Sequence, residues 1–395
     1  MAVPAVETSR WRVISALGVT QILAWGSTYY LLAVLAAPIV ADTGWSLGLV
    51  IGGVSLGLLA SGLVSICVGG AIERFGGRPV LAASSILIAA GLAALAAAGD
   101  VPTYLAAWVV LGIGMGAGLY DAAFSTLGRL FGLDARSAIT ALTLWGGFAS
   151  TVCWPLSAAL VETFGWRGAC LVYAALHLFV ALPLHLIALP REPERTPGSR
   201  PKPGAEASPT VPRSRAVFLL LAAILTTGGA IAAMISVHLI ALLQAGGMSL
   251  AVAVGFGALI GPAQVGARVV EMLAGRRLHP LWTLAVAALL ICLGLGLLSL
   301  DLTLPALALI AYGAGNGVWS IARGALPLTL YGPSGYAVLM GRLAMPSLIA
   351  QALTPWLGSL IIARLGASAM LSTITLAAVA NLLVIALLWT TIVRT

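Results

Sequence analysis

One arginine, Arg268, interrupts an apolar segment in the run GPAQVGARVVE, residues 261–271. A guanidinium keeps its charge when buried, and its planar fork of N–H donors matches the geometry of a carboxylate. Gln264, four residues earlier, could add an amide donor from the same helix face. The alternatives for Arg268 are a structural ion pair with Glu271 or a side chain that reaches back to solvent. We favour a carboxylate-binding site.

A carboxylate, Asp121, is the only acid that falls well inside an apolar segment, in GLYDAAF. An apolar environment disfavours the charged form of a carboxyl group, so Asp121 is a candidate proton carrier. The alternative is a structural pair with Arg129 or Arg323, and the sequence leaves both possibilities open.

Further polar side chains lie in apolar segments and could line a binding cavity: Tyr29, Tyr30, His238 and Asn316. For His238 and Asn316 a hydrogen bond between packed helices is the alternative.

The composition shows which elements must position these groups. Of 395 residues, 61% are hydrophobic and 8% are charged, and the mean hydropathy is +1.07. A soluble domain is about 25% charged, so this chain needs the lipid bilayer as its solvent. Its net charge of +8 comes from arginines placed singly or in pairs between apolar stretches. That placement is typical of topology signals and argues against a nucleic-acid partner.

Sites for metals, cofactors and phosphates are not indicated. The four cysteines show no C-x-x-C spacing and the four histidines are scattered, so we predict neither a metal site nor a cofactor. The single lysine, Lys202, follows a proline, which excludes a phosphate-binding loop ending in Gly-Lys-Ser/Thr. We therefore expect neither an enzyme nor an ATP-driven pump.

Apolar stretches long enough to cross a bilayer as helices predict an all-α protein with twelve transmembrane spans. The stretches are 13–40, 46–72, 79–99, 103–129, 137–161, 168–189, 216–244, 250–274, 281–300, 304–325, 338–362 and 367–391. The segment 190–215 is rich in Pro, Gly, Ser and charge, which predicts a solvated linker. It divides the chain into an N-terminal bundle, residues 1–189, and a C-terminal bundle, residues 216–395.

The distribution of cations predicts the orientation. One side of the predicted spans carries most of the arginines: Arg10, Arg12, Arg74, Arg78, Arg136, the linker cations, Arg276, Arg277 and Arg394. The other side carries only Arg167 and Arg364. The positive-inside rule therefore places both termini and the linker in the cytoplasm. Short loops favour a bacterial inner membrane, with lipid as the surrounding partner and a monomer as the functional unit.

An internal repeat relates the two bundles at an offset of 199 residues. ERFGGRP at 73–79 aligns with MLAGRRL at 272–278, and GAGLYDAAF at 116–124 aligns with GNGVWSIAR at 315–323. Duplicated bundles with a central site are a known transporter architecture.

The loop after the second span, GGAIERFGGR at 69–78, carries the most specific motif. It resembles the signature loop of the major facilitator superfamily, whose positions are filled here by Gly69, Glu73, Arg74, Gly76 and Arg78, with Glu in place of the usual Asp. The resemblance extends over essentially the whole chain. It implies two six-helix bundles that rock around a central site, with these residues as a conformational latch.

The segment around Arg268 resembles the eighth span of the monocarboxylate-porter branch, which includes oxalate–formate exchangers. That branch carries a carboxylate-binding arginine there, with an aspartate where this chain has Gln264. Residues 25–46 resemble the porters' first span. Some porters carry a lysine in that span, and the equivalent position here is about Ala33, which is apolar. Carboxylate recognition by Arg268 is therefore implied, whereas proton coupling through an acid–lysine pair is not.

We thus expect a secondary transporter for a small organic anion, with a co-transported proton or an exchanged anion left open. Efflux of drug-like or neutral solutes is the alternative, with Arg268 structural. Many drug exporters of the superfamily carry an arginine near the position of Trp108, and its absence weighs against that alternative. A receptor or scaffold built on the same fold is a third possibility.

Overall fold

The computed structural model describes residues 10–194, 214–274, 279–300 and 304–393, and these ranges contain helices and no strands. In the N-terminal bundle, span 1 is Arg10–Ser27 with Leu32–Thr43, span 2 is Leu47–Phe75, span 3 is Gly77–Ala97, and span 4 is Val101–Gly118 with Tyr120–Phe131. Spans 5 and 6 are formed by Ala135–Gly147, Ala149–Leu176, His177–Ala181 and Leu182–Ala188.

In the C-terminal bundle, span 7 is Arg215–Ala245 and span 8 is Leu250–Gly257 with Ile260–Ala274. The remaining spans are Pro280–Leu300 (span 9), Pro305–Tyr331 (span 10), Tyr336–Leu365 (span 11) and Ala367–Val393 (span 12). The termini of the described chain and the ends that flank the predicted linker lie on one side of the bundle, which we call the linker side. Most of the predicted linker, residues 195–213, lies outside the described ranges, as do residues 275–278 of the repeat match at 272–278.

The twelve-span prediction is confirmed. Nine stretches of the described chain are long and apolar enough to cross a membrane, and one of them, Val101–Ala188, is 88 residues long and contains spans 4, 5 and 6. Gly165, at φ 70° and ψ 173°, makes the turn between spans 5 and 6. Span 10 is the twelfth, because its 27 residues suffice to cross although its many glycines and Arg323 lower its hydropathy.

Spans 1, 4, 5 and 8 are each divided near the middle into two α-helices by a short break. In span 4 the glycine-rich run before Leu119 has low helix propensity, and Leu119 is extended at φ −80° and ψ −169°. Gln21 Nε2 donates to the carbonyl oxygen of Gly118 at 2.6 Å. Irregular backbone at membrane depth requires such partners.

The two bundles meet through close contact between span 2 and span 11 and between span 5 and spans 8 and 10. Ser65 Oγ, in span 2, donates to the Gly341 carbonyl of span 11 at 2.9 Å. A Cβ atom added at Gly341 would lie 2.4 Å from the Ser65 carbonyl oxygen. Small residues thus allow the backbones of the two bundles to touch.

Candidate functional site

Arg268 is buried between the two bundles, with 5% of its surface exposed. Its Nε donates to the carbonyl oxygen of Gly317 in span 10 at 3.3 Å, and its Nη1 donates to that of Thr143 in span 5 at 3.0 Å. Within the described ranges, no carboxylate forms an ion pair with it. Arg268 therefore lies at the bundle interface with its charge uncompensated by a described acid.

The proposed alternative partner, Glu271, is engaged elsewhere. Its Oε1 lies 3.5 Å from Arg136 Nη2 and accepts a hydrogen bond from Thr283 Oγ1 at 2.9 Å. Glu271 thus contributes to packing on the linker side, and the side chain of Arg268 extends into the interface.

Glycines provide the space that Arg268 occupies. A Cβ atom at Gly147 would lie 2.4 Å from Arg268 Nη1, and one at Gly317 would lie 2.5 Å from the Gln264 carbonyl oxygen. A side chain at Gly147 would displace the guanidinium, and one at Gly317 would push spans 8 and 10 apart. These two glycines therefore set the position of the cation.

A column of aromatic rings, formed by Trp154, Tyr30, Trp25 and Tyr120, runs beside Arg268. Successive ring centroids are separated by 6.2 Å, 6.0 Å and 5.1 Å. Arg268 lies near both Tyr30 and Tyr120. We call this set the aromatic column.

Both candidate tyrosines lie in the short break between the two helices of span 1. Thr28 Oγ1 donates to the Ala24 carbonyl at 2.5 Å, and such hydroxyl bonds compete with the regular helix. Tyr29 and Tyr30 are both half-buried at this turn. Their rings contact each other edge-on at 5.4 Å, and Tyr29 also lies beside Ser236 of span 7.

Asp121 forms an ion pair with Arg323, which joins span 4 of one bundle to span 10 of the other. The exposed fractions of the two side chains are 17% and 13%. Both line a small cavity of about 30 Å³ together with Trp25, Tyr29 and Gln351, which has room for one or two water molecules. Of the two partners that the sequence left open, the structure selects Arg323.

The other polar candidates differ in their surroundings. The side chains of Gln264 and Asn316 are half-buried. His238 Nε2 donates to the Pro355 carbonyl at 2.8 Å and lies against Gly358. It therefore joins span 7 to span 11 within one bundle, away from the residues that contact Arg268.

The signature loop, at the end of span 2, contacts span 11 and the segment that follows span 6 on the linker side. Gly76 turns the chain at φ 86°, and a Cβ atom at Gly69 would lie 2.4 Å from the Ala337 carbonyl oxygen of span 11. Arg74 Nε pairs with Glu194 Oε1 at 2.8 Å, but both side chains are about half exposed. Arg78 is half-buried.

Arg129, at the end of span 4, contacts this loop through a more deeply buried ion pair than that of Arg74. Its Nε lies 2.5 Å from Glu192 Oε2, and only 3% of the Arg129 side chain is exposed. Its Nη1 donates to the carbonyl oxygens of Ile72, at 3.0 Å, and Glu73. Arg129 and Glu192 are site residues that the motif itself does not contain.

Replacing Gly69 with alanine tests the contact between spans 2 and 11. We expect G69A to weaken the contact between spans 2 and 11, because the added methyl group meets backbone that cannot rotate away. The matched control is G70A, where nothing lies within 4 Å of the added Cβ. Alanine favours a helix by roughly 1 kcal/mol over glycine, so G70A should keep or raise the melting temperature. Equal melting temperatures for G69A and G70A would contradict the described contact.

The family model of the major facilitator superfamily matches residues 17–345. The chain therefore belongs to that superfamily, as the signature loop predicted, and is a multi-pass membrane transporter rather than an enzyme.

Human monocarboxylate transporter 11 is 33% identical over 138 residues, covering 33% of this chain and 29% of that protein. The mouse protein of the same name is 33% identical over 140 residues, covering 33% of this chain and 31% of its own length. The chain thus spans about a third of the length of these curated relatives.

Among solved structures, the human organic anion transporter MFSD10 superposes with a TM-score of 0.75 at 16% identity, covering 95% of this chain and 99% of that one. The transporter FucP in its outward conformation superposes with a TM-score of 0.72 at 15% identity, covering 95% and 98%. At these identities the likeness concerns the fold alone.

Proposed function

We propose that this protein transports a small organic anion, a carboxylate, by alternating access, with Arg268 as the counter-charge. The observation that carries the proposal is a buried guanidinium between the two bundles that has no carboxylate partner among the described residues. The partial identity to monocarboxylate transporters supports the same substrate class.

The hydrogen bonds of Arg268 are consistent with this role. Two backbone carbonyl groups hold Nε and Nη1, but carbonyl dipoles do not neutralise a full charge in a medium of low dielectric. Within the described ranges Nη2 has no protein acceptor. A carboxylate that bound there would supply both the missing acceptor and the missing charge.

Asp121 is the proposed coupling group. Its ion pair with Arg323 joins the bundles, so a proton taken up by Asp121 would remove an attraction that keeps the linker side closed. We propose that the signature loop, Gly69 through Arg78, is the latch on that side.

The proposal also includes cytoplasmic termini, an inner-membrane location and a monomer surrounded by lipid.

Efflux of apolar solutes remains a second candidate, and the aromatic column is the observation that favours it. Aromatic rings bind lipophilic cations as well as apolar anions. Under this alternative Arg268 only joins spans 5, 8 and 10.

Flux measurements in proteoliposomes separate these candidates. We expect the purified protein to give saturable uptake of at least one labelled monocarboxylate from a panel of acetate, lactate and benzoate, measured at pH 8 to limit passive entry of the neutral acids. Unlabelled carboxylates should compete, and tetraphenylphosphonium should not. Uptake of tetraphenylphosphonium without competition by carboxylates would establish efflux instead. Carboxylate binding without any flux would indicate a receptor.

A further inference from the structure

A second cavity, of about 500 Å³ and widely open, lies between spans 1 and 5 on the side of the bundle away from the linker. Most of its lining is apolar, and the lining residues are Ala33, Val34, Ser150, Thr151, Trp154, Pro155 and Ala158. We call it the vestibule. Its size is within the range of cavities that bind small organic ligands.

The vestibule and the cation are adjacent along span 5. Arg268 Nη1 lies against Gly147, and Thr151 is four residues farther along span 5, beyond the short break between Gly147 and Ala149. Tyr30 of span 1 links the two places, because it lies near Arg268 and its ring contacts the Trp154 ring edge-on, with 6.2 Å between the ring centroids. An anion bound to Arg268 would therefore have its body among these rings.

The charges around the site admit one negative group. Arg268 is uncompensated among the described side chains, whereas Arg323 is already paired with Asp121. A second carboxylate on the substrate would be desolvated without a cation to meet it, which is costly in a medium of low dielectric.

The side chains that line the vestibule also indicate the chemistry of the substrate body. Trp154 is 47% exposed and presents its indole to the vestibule. Ala33 and Val34 present methyl groups, while Ser150 and Thr151 are the only hydroxyl side chains in the lining. A body with several hydroxyl groups would lose hydration there without gaining partners.

Resting on the proposed function, we propose that the substrate is an aromatic monocarboxylate, whose carboxylate binds Arg268 while its ring packs against Tyr30 and against Trp154 at the vestibule. Ring–ring contact adds to the burial of apolar area. Trp154 is then a specificity-determining residue, because it contacts the substrate body and leaves the anionic group to Arg268.

Thermal stabilisation of the purified full-length protein tests this proposal with a matched series of probes: phenylacetate, acetate, lactate, 1,4-phenylenediacetate and phenethylamine. We expect phenylacetate to bind at least about tenfold more tightly than acetate or lactate, since one ring buries far more apolar area than a methyl group. The dianion 1,4-phenylenediacetate and the cation phenethylamine should give no stabilisation.

A variant isolates the contribution of the ring. W154A should lower the affinity for phenylacetate by about tenfold and leave that for acetate unchanged. The control W11A removes another exposed tryptophan, 64% exposed at the start of span 1, and should change neither affinity.

The possible failures are distinguishable. Acetate or lactate binding as tightly as phenylacetate, or an unchanged phenylacetate-to-acetate ratio in W154A, overturns the aromatic specificity while carboxylate transport stands. Equal binding of the dianion overturns the single-charge argument. Stabilisation by phenethylamine alone, or by none of the carboxylates, overturns the proposed function and this inference together.

Discussion

The variant R268K is expected to lower the rate of carboxylate uptake by roughly 10- to 100-fold, although it keeps the positive charge. A lysine ammonium cannot hold the Gly317 and Thr143 carbonyls and also present a planar pair of donors to a carboxylate. Losing one hydrogen bond to a charged group costs about 2 kcal/mol, and each 1.4 kcal/mol is tenfold in affinity. Initial rates of uptake in proteoliposomes measure the effect.

The matched control for R268K is R342K, which changes an exposed arginine of span 11 in the same way. Uptake by R342K should stay within twofold of the wild type, roughly the scatter expected for surface changes. The carboxylate site would have to be abandoned if R268K transported as well as R342K while both retained the wild-type melting temperature.

The variant D121N is expected to open the linker side of the interface. It leaves Arg323 without its partner, and breaking a buried pair costs about 3–5 kcal/mol. Partial exposure of both side chains reduces this to about 2 kcal/mol, or roughly thirtyfold in the equilibrium between closed and open states. The reaction of a cysteine at Ser65 with a maleimide, in a background without other reactive cysteines, should therefore accelerate by at least tenfold.

Two comparisons make the D121N result specific. D42N removes a pair with Arg167 that is nearly half exposed and lies on the opposite side, and it should leave the labelling rate unchanged. Exchanging the charges, as D121R with R323D, should return the rate toward the wild-type value. Labelling of D121N at the wild-type rate would show that the pair does not hold the bundles closed.

The sequence was sufficient to predict the fold because membrane helices have a simple physical signature. A helix must be about 20 residues long and apolar to cross the bilayer, and the predicted stretches overlap the observed spans throughout the described chain. The predicted bundle boundaries and orientation depend on charges in and near the linker, and they stay predictions.

The surroundings of Arg268 were harder to predict from the sequence than the fold. Both of its acceptors, at Thr143 and Gly317, are backbone carbonyl groups, and every residue type carries one. The interruptions of spans 1, 4, 5 and 8 occupy between one and four residues each. Windows of hydropathy about 20 residues long cannot detect breaks of that size.

The partner of Asp121 was partly predictable from the sequence. Arg129 lies eight residues away in the same helix, about 12 Å along its axis, while Arg323 lies 202 residues away in the chain. The internal repeat contained a usable signal, because it aligns span 4 with span 10. Duplicated bundles of this kind meet around a central site, so a pair across the two bundles was a choice that the repeat made available.

The two hydrogen bonds of Arg268 differ in which part of the molecule they belong to. Gly317 and Arg268 are both in the C-terminal bundle, whereas Thr143 is in the N-terminal one. When the bundles rotate apart, the first bond travels with the arginine and the second must break. The carboxylate would then move with Arg268 and the C-terminal bundle, whereas the side chains that contact the substrate body, Tyr30 and Trp154, belong to the N-terminal bundle. Affinity for the substrate should consequently be unequal on the two sides of the membrane.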